Sequence, residues 1–152
     1  MTAEVVDVRE RPTVADFTVR RTATTRWSDN DMYGHLNNAV YYQLFDAAIN
    51  GWIIEQSGLD PVAAPVVGVV AESACRYFEQ VQFPQALEVG IRVARLGRTS
   101  VTYDLGLYPA ELPETATVAA RGRWVHVFVD RDALRPVPIP ANLRRLFESA
   151  TG

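Results

Sequence analysis

The longest apolar run of the chain, residues 39–54, has the pattern of a buried helix. At ~100° per residue its polar side chains fall in one narrow stripe, so apolar groups cover most of the circumference. The stripe consists of Gln43, Asp46 and Asn50. Asn37 or Asn38 is a good N-cap, and Gly58 predicts the end of the helix. The pattern predicts one long helix that the rest of the chain must cover.

Five other stretches alternate between apolar and polar residues or are rich in valine, as strands are. They are residues 17–27, 66–78, 87–93, 100–107 and about 115–129. A short turn, Leu96-Gly97-Arg98-Thr99, separates the third from the fourth and predicts an antiparallel hairpin. A proline-rich lead precedes a predicted short terminal helix, residues 141–149. Residues 1–15 show no clear period and predict a loose arm, and the whole chain, 1–152, fits a single domain.

Together these elements predict an α+β fold. A mostly antiparallel curved sheet of five to six strands has to wrap around one long central helix that is apolar nearly all round. A single curved layer leaves one side of the helix and one edge strand uncovered. We therefore expect a homodimer that continues the sheet, and a homotetramer assembled from such dimers.

Charge and cysteine content exclude several classes of function. All 15 basic residues are arginine, and 18 acidic residues give a net charge of -3, so no nucleic-acid partner is expected. No apolar run approaches the ~18 residues of a membrane span and the N-terminus lacks a secretory pattern, which predicts no membrane partner and a cytoplasmic location. The single cysteine, Cys75, gives no disulfide framework. His35 and His126 are too far apart for a metal set of usual spacing.

The ten residues before the long helix carry the densest group of proton-handling side chains. They lie beside the positive end of the helix dipole, where chemistry is expected. The alternative for Asp31 is that it simply caps a turn. Asp29 is more readily explained as a structural residue that bonds the loop backbone. His35 can either help a site or hold the loop. His126, between two valines of a strand, is expected to be a satisfied core or interface residue.

The string Asp31-Met-Tyr-Gly-His35-Leu-Asn-Asn38, after Arg-Trp-Ser-Asp29 and before a helix carrying Asp46, resembles a known signature. It is similar to that of hotdog-fold acyl-CoA thioesterases of the 4-hydroxybenzoyl-CoA thioesterase type, and the likeness extends over nearly the whole chain. The resemblance implies a hotdog fold and hydrolysis of an acyl-CoA or acyl-carrier thioester. Coenzyme A would enter as part of the substrate, with no other cofactor.

The resemblance also implies catalytic roles. Asp31 would act as general base or as direct nucleophile, and the backbone N–H near Asn38 would be the oxyanion donor. First-turn N–H groups of any helix lack an intrahelical acceptor, which supports the second role. His35 would orient water or the carboxylate, as in similar plant acyl-carrier thioesterases. Their Asp-x-Asn-x-His pattern has Asn where this chain has Tyr33, and they carry a further acid near Glu79.

Substrate contacts are expected in two regions. The acyl pocket is expected along the loop and the first turns of the helix, from Trp27, Tyr33, Tyr41, Tyr42, Phe45 and Asp46. Asp46 can equally well pair with an arginine. The hairpin turn resembles the coenzyme-contacting region of the family, and its candidates for CoA binding are Arg95, Gly97, Arg98, Thr99 and Ser100. An ordinary solvated turn is the alternative interpretation.

Two other functions are compatible with the same fold. One is dehydration of a 3-hydroxyacyl thioester, in which a paired acid and histidine remove an α-proton. A dehydratase-like Asp-x-Asn-Pro-x-His string is absent from this loop, which disfavours it. The other is a non-catalytic acyl-CoA-binding protein, which would need no carboxylate at Asp31.

Overall fold

The computed structural model describes residues 6–152. Its helices are α1 (Asn38–Ser57) and α2 (Ala141–Ser149), and its strands are β1 (Val19–Ala23), β2 (Val66–Tyr77), β3 (Leu87–Leu96), β4 (Ser100–Pro109) and β5 (Ala120–Asp130). Short 3-10 turns at Val14–Asp16 and Trp27–Asp29 flank β1. No helix in this part of the chain has the length and apolarity to cross a membrane.

The five strands form one antiparallel sheet in the order β1-β3-β4-β5-β2. The predicted hairpin between β3 and β4 is confirmed, with Leu96 opposite Val101. β2 lies at one edge of the sheet, where β5 is its one partner among the described strands. The α+β class and the curved five-stranded sheet around the long helix are thus as predicted.

Helix α1 packs on the sheet through a broad apolar face. Its caps are those expected from the sequence: the Asn37 side chain accepts a hydrogen bond from the Ala39 N–H (2.9 Å), and Gly58 ends the helix in the left-handed conformation. Phe45 is fully buried against β5, where a Cβ at Gly122 would lie 2.8 Å from its ring. A bare glycine therefore allows the helix its close approach. The polar stripe of α1 is exposed.

Two strands are shorter than the sequence pattern predicts. β1 spans Val19–Ala23 instead of residues 17–27, because Ala23 already faces Leu87, the first residue of its partner β3. Phe17 lies outside β1, and its side chain packs against the backbone of Gly90 on β3. β5 begins at Ala120 rather than near residue 115. The residues before it bond to the N-terminal arm, which takes the place of a strand partner.

The described part of the N-terminal arm, residues 6–15, is held against the sheet. The Val14 N–H donates to the Ala116 carbonyl (2.9 Å), and the Val118 N–H donates to the Pro12 carbonyl (3.0 Å). Val14 itself is buried. This packing is tighter than the loose arm expected from the sequence; residues 1–5 lie outside the described part of the chain.

Buried polar side chains lie inside the sheet, among them His126 and Asp104. His126 is 2% exposed, its Nδ1 is 3.1 Å from the Tyr103 hydroxyl, and burial lowers its pKa to about 4. It is therefore neutral at pH 7, as expected of a satisfied core residue. Asp104, 1% exposed, accepts hydrogen bonds from the guanidinium groups of Arg92 (2.8 Å) and Arg121 (2.8 Å to each carboxylate oxygen). These charges are paired across three neighbouring strands.

Candidate active site

A cavity of about 700 Å³ opens at the N-terminus of α1. It lies between the loop that precedes the helix, the first helical turns and the segment that follows β2. Its lining residues are Asp31, Tyr33, His35, Leu36, Asn38, Tyr41, Tyr77, Phe78, Glu79 and Gln80. The structure therefore brings together five of the residues that the sequence marked: the carboxylate, the histidine, the helix-start asparagine and two tyrosines.

Backbone hydrogen bonds fix the shape of the loop. The Asp31 N–H donates to the His35 carbonyl (2.8 Å), and the Gly34 N–H donates to the Asp31 carbonyl (3.1 Å). Gly34 has a φ of +83°, a conformation that glycine adopts without strain. Asp29 is buried and accepts hydrogen bonds from the backbone and the guanidinium of Arg26, which lowers its pKa. Asp29 thus closes the preceding turn and does not line the cavity, whose carboxylates are Asp31 and Glu79.

The carboxylate of Asp31 is half-buried in the cavity wall. Its Oδ1 accepts a hydrogen bond from the Tyr33 N–H (2.8 Å), an Asx-type turn that fixes the orientation of the side chain. No residue in the range 6–152 donates to Oδ2. One oxygen therefore anchors the group, and the other is available to a water molecule or a substrate.

Asn38, at the start of α1, lines the same cavity and has an unpaired backbone donor in the described part of the chain. The N–H groups on either side of Asn38 are used: Asn37 donates to the Asp29 carbonyl (2.9 Å), and Ala39 donates to the Asn37 side chain (2.9 Å). The Val40 N–H donates to the Asn37 carbonyl (2.9 Å). Within the described chain the Asn38 N–H has no hydrogen-bond acceptor. Together with the positive end of the helix dipole, it can stabilise a developing negative charge.

The segment after β2 forms a wall of the cavity in which the sequence analysis had singled out Glu79 alone, through the resemblance to the plant thioesterases. The Tyr77 hydroxyl donates to the Asn38 carbonyl (2.9 Å), and Arg11 pairs with Glu79 (3.0 Å) while its guanidinium lies over the Phe78 ring (5.3 Å to the centroid). A signal for this wall was available. A helix and a following strand joined by a short link run antiparallel, so the end of β2 returns to the start of α1.

Four other predicted acyl-pocket residues do not line this cavity. Tyr42 and Phe45 pack on Trp124, at ring-centroid distances of 5.3 and 6.1 Å, deeper in the core. Trp27 is 83% exposed and meets only the edge of Phe83 among the described rings. Asp46 is exposed and accepts a hydrogen bond from Asn50 one turn along the helix, so it pairs with an amide rather than an arginine.

The predicted CoA-binding turn, residues 95–100, lies at the opposite end of the sheet. Ser100 pairs with Val127 of β5, whereas Tyr77 at the cavity pairs with Ala120 of the same strand. Seven residues of extended strand separate the two positions, or roughly 23 Å. The turn is held there by Arg144 of α2, which donates to the Gly97 carbonyl (2.6 Å). A single chain therefore does not bring this turn to Asp31.

Residues 25–147 match the thioesterase-like superfamily. The chain belongs to this superfamily. Membership confirms the predicted family at that level and the predicted enzyme class, a thioester hydrolase; the narrower 4-hydroxybenzoyl-CoA type stays a prediction. In the described range, no group of three or more His, Cys, Asp or Glu side chains is arranged to hold a metal ion.

Solved structures show the same hotdog fold. The protein is 45% identical to the PA5185 protein of Pseudomonas aeruginosa strain PAO1. The two structures superpose with a TM-score of 0.90, over 94% of this chain and 98% of PA5185. The PA2801 protein of Pseudomonas aeruginosa is 28% identical, with a TM-score of 0.77 over 90% and 98% of the two chains. The 1,4-dihydroxy-2-naphthoyl-CoA thioesterase Slr0204 of Synechocystis shares the fold at 16% identity (TM-score 0.72, 86% and 94%). A comparison with curated proteins gives no match.

Proposed function

We propose that the protein hydrolyses an acyl-coenzyme A thioester to a free acid and coenzyme A in the cavity at the start of α1. One observation carries this proposal. Two residues line the same cavity: Asp31, whose carboxylate has one unbonded oxygen, and Asn38, whose helix-start N–H has no acceptor among residues 6–152. Thioester hydrolysis needs a proton acceptor or nucleophile on one side of the carbonyl and a donor for the oxygen on the other.

In the proposed reaction, Asp31 Oδ2 takes a proton from a water molecule while the oxygen of that water bonds to the thioester carbon. The carbonyl electron pair moves to oxygen, where the Asn38 N–H stabilises the charge. Collapse of the tetrahedral intermediate re-forms the carbonyl and breaks the carbon–sulfur bond. The thiolate leaves and takes up the proton from Asp31 through solvent. His35, which lines the cavity, would orient the water.

The alternative in which Asp31 attacks directly leads to the same products. Its carboxylate oxygen would bond to the thioester carbon, the thiolate would leave, and water would then cleave the resulting anhydride. A single turnover in ¹⁸O-labelled water detects attack by Asp31 when water cleaves the anhydride at the Asp31 carbon: the label then enters Asp31 and the product acid is unlabelled. When Asp31 is a base, one ¹⁸O enters the product acid and none enters Asp31.

A thiol-release assay over a panel of acyl-CoA esters tests the proposed function. The panel should include aryl, medium-chain and 3-hydroxyacyl esters, because the aromatic lining of Tyr33, Tyr41, Tyr77 and Phe78 suits flat or medium acyl groups. Hydrolysis of at least one ester with release of free coenzyme A is expected. Water loss from the 3-hydroxyacyl ester without thiol release would favour a dehydratase. No turnover of any ester would favour a binding protein.

The position of the predicted CoA-binding turn bears on the assembly. β2 is 12 residues long and, within residues 6–152, has one unpaired edge, with Val69 and Val70 exposed at 42% and 47%. Such an edge favours pairing with another strand. We propose that two copies pair antiparallel through β2. The Val66 end of one copy would then adjoin the Tyr77 end of the other. Arg95 and Arg98 of the first copy would lie near the cavity of the second, where they could bind coenzyme A phosphates.

Sedimentation velocity at assay concentration tests this arrangement. A species of twice the 16.9 kDa chain mass, or of four chains, is expected. A protein that hydrolyses acyl-CoA while it sediments as a monomer would contradict the pairing through β2. Another surface of the chain would then have to bind the coenzyme A phosphates.

A further inference from the structure

Tyr77 connects the edge strand of the sheet to the start of the long helix. It is the last residue of β2 and part of the cavity wall. Its hydroxyl donates to the Asn38 carbonyl oxygen (2.9 Å), and its ring meets Tyr41 edge-on, with centroids 4.8 Å apart and planes at 84°. The contact with Tyr41 fixes the orientation of the Tyr77 ring, and the Tyr77 hydroxyl then bonds to the backbone of Asn38 in the first helical turn.

That residue is the one whose N–H is unpaired. Asn37 accepts hydrogen bonds from the N–H groups of Ala39 and Val40, and neither bond involves the backbone of Asn38. First-turn backbone lacks the i−4 hydrogen bonds that stabilise the rest of a helix and is therefore prone to fraying. The hydroxyl of Tyr77 supplies a bond at this position from outside the helix.

The phenol remains a donor over the pH range of an ordinary assay. Burial raises the pKa of Tyr77 above its usual value, and the neighbouring Cys75 raises it further. Burial likewise raises the pKa of the Cys75 thiol to about 11. Neither group ionises near neutrality, so the contact between Tyr77 and Asn38 does not change with pH there.

We propose that Tyr77 is a positioning residue that holds the first turn of α1 so that the Asn38 N–H is preorganised to receive the oxyanion. The inference rests on the proposed thioester hydrolysis. Tyr77 acts through Asn38 and not on the substrate oxygen, because its one hydroxyl proton is already donated to the Asn38 carbonyl. Preorganised donors favour the transition state over the ground state, so their loss lowers kcat more than it raises KM.

The Tyr77→Phe variant removes only the hydroxyl and keeps the ring against Tyr41. We expect kcat for the best acyl-CoA ester to fall about five- to tenfold, the size expected for loss of one neutral hydrogen bond, with KM changed by less than about twofold. Amide exchange at Ala39 and Val40, whose N–H groups are hydrogen-bonded to Asn37, should become faster, while exchange in the middle of α1 stays unchanged. This local exchange is measured without substrate.

Tyr103→Phe is the matched control. It removes a phenol hydroxyl that bonds His126 in the core, outside the cavity. We expect it to keep the wild-type kcat and the wild-type exchange at Ala39 and Val40, even where it lowers thermal stability as much as Tyr77→Phe does. Equal losses of kcat in the two variants would mean that general destabilisation, not positioning, explains the effect, and would overturn the inference.

The remaining outcomes separate this inference from the proposed function. Wild-type hydrolysis with an unchanged kcat in Tyr77→Phe overturns the role of Tyr77 and leaves the proposed function intact. A raised KM with unchanged kcat also overturns it, because Tyr77 would then bind substrate rather than position the donor. A wild-type protein that hydrolyses no ester overturns the proposed function, whatever the amide exchange shows.

Discussion

The Asp31→Asn variant is expected to lose at least ~100-fold in kcat for thioester hydrolysis, the size typical of losing general-base catalysis. Asparagine has the same shape and keeps a carbonyl oxygen that can accept the Tyr33 N–H, so the loop should retain its turn. What is lost is the negative charge at Oδ2, and with it the ability to take a proton or attack a carbonyl. Steady-state thiol release on the best ester of the panel measures the effect.

Asp60→Asn is the control for this change. Asp60 also closes a turn, accepting hydrogen bonds from the N–H groups of Val62 (2.9 Å) and Ala63 (3.2 Å), but it follows the far end of α1. It makes the same chemical change in a similar turn, and we expect wild-type activity. An Asp31→Asn protein that keeps more than a tenth of the wild-type kcat would rule out Asp31 as base or nucleophile.

The largest effect on stability is expected at Asp104. This carboxylate is bonded to both Arg92 and Arg121 and is almost entirely buried. Asp104→Ala removes the shared anion while the two guanidinium groups stay inside the fold. Removing one partner of a buried ionic group costs about 3–5 kcal/mol, since the buried guanidinium groups lose the carboxylate that they share. Urea denaturation of the variant and the wild type gives the difference in the free energy of unfolding.

Glu72→Ala provides the comparison on the same sheet. Glu72 pairs with Arg123 of β5 at 3.3 Å, and its own side chain is 66% exposed. Exposed pairs contribute at most about 1 kcal/mol, because water screens and solvates both charges. If Asp104→Ala destabilised the protein no more than Glu72→Ala, the buried cluster would not be important for folding.

Elements with a local cause were predictable from the sequence. Helix α1 and both of its caps follow from the apolar period, Asn37 and Gly58. Helix α2 has the predicted bounds. The limits of β1 and β5 were not predictable, because they depend on distant partners: Leu87 for β1, and the N-terminal arm for the residues before β5. Strand periodicity shows which residues share a face but not where pairing stops.

The same distinction applies to the candidate site. Asp31, His35 and Asn38 were found together because they lie within one loop and one helical turn. Tyr42 and Phe45 were assigned to the pocket from their place on the helix, but Trp124 of β5 covers them. The wall from Tyr77 to Gln80 could be placed from the antiparallel return of β2 to the start of α1. The remote position of Arg98 depends on strands far apart in sequence and required the three-dimensional arrangement.

The central claim is that Asp31 and the Asn38 N–H act on one carbonyl group. A crystal structure with a non-hydrolysable ketone analogue of the best acyl-CoA ester, in which CH₂ replaces the thioester sulfur, tests it most directly. We predict the ketone oxygen about 2.7–3.1 Å from the Asn38 nitrogen. The Asp31 carboxylate should lie on the other side, within about 3–3.5 Å of the carbonyl carbon or of a water beside it. A ketone bound outside this cavity, or an Asn38 N–H bonded to another protein group in the complex, would contradict the claim.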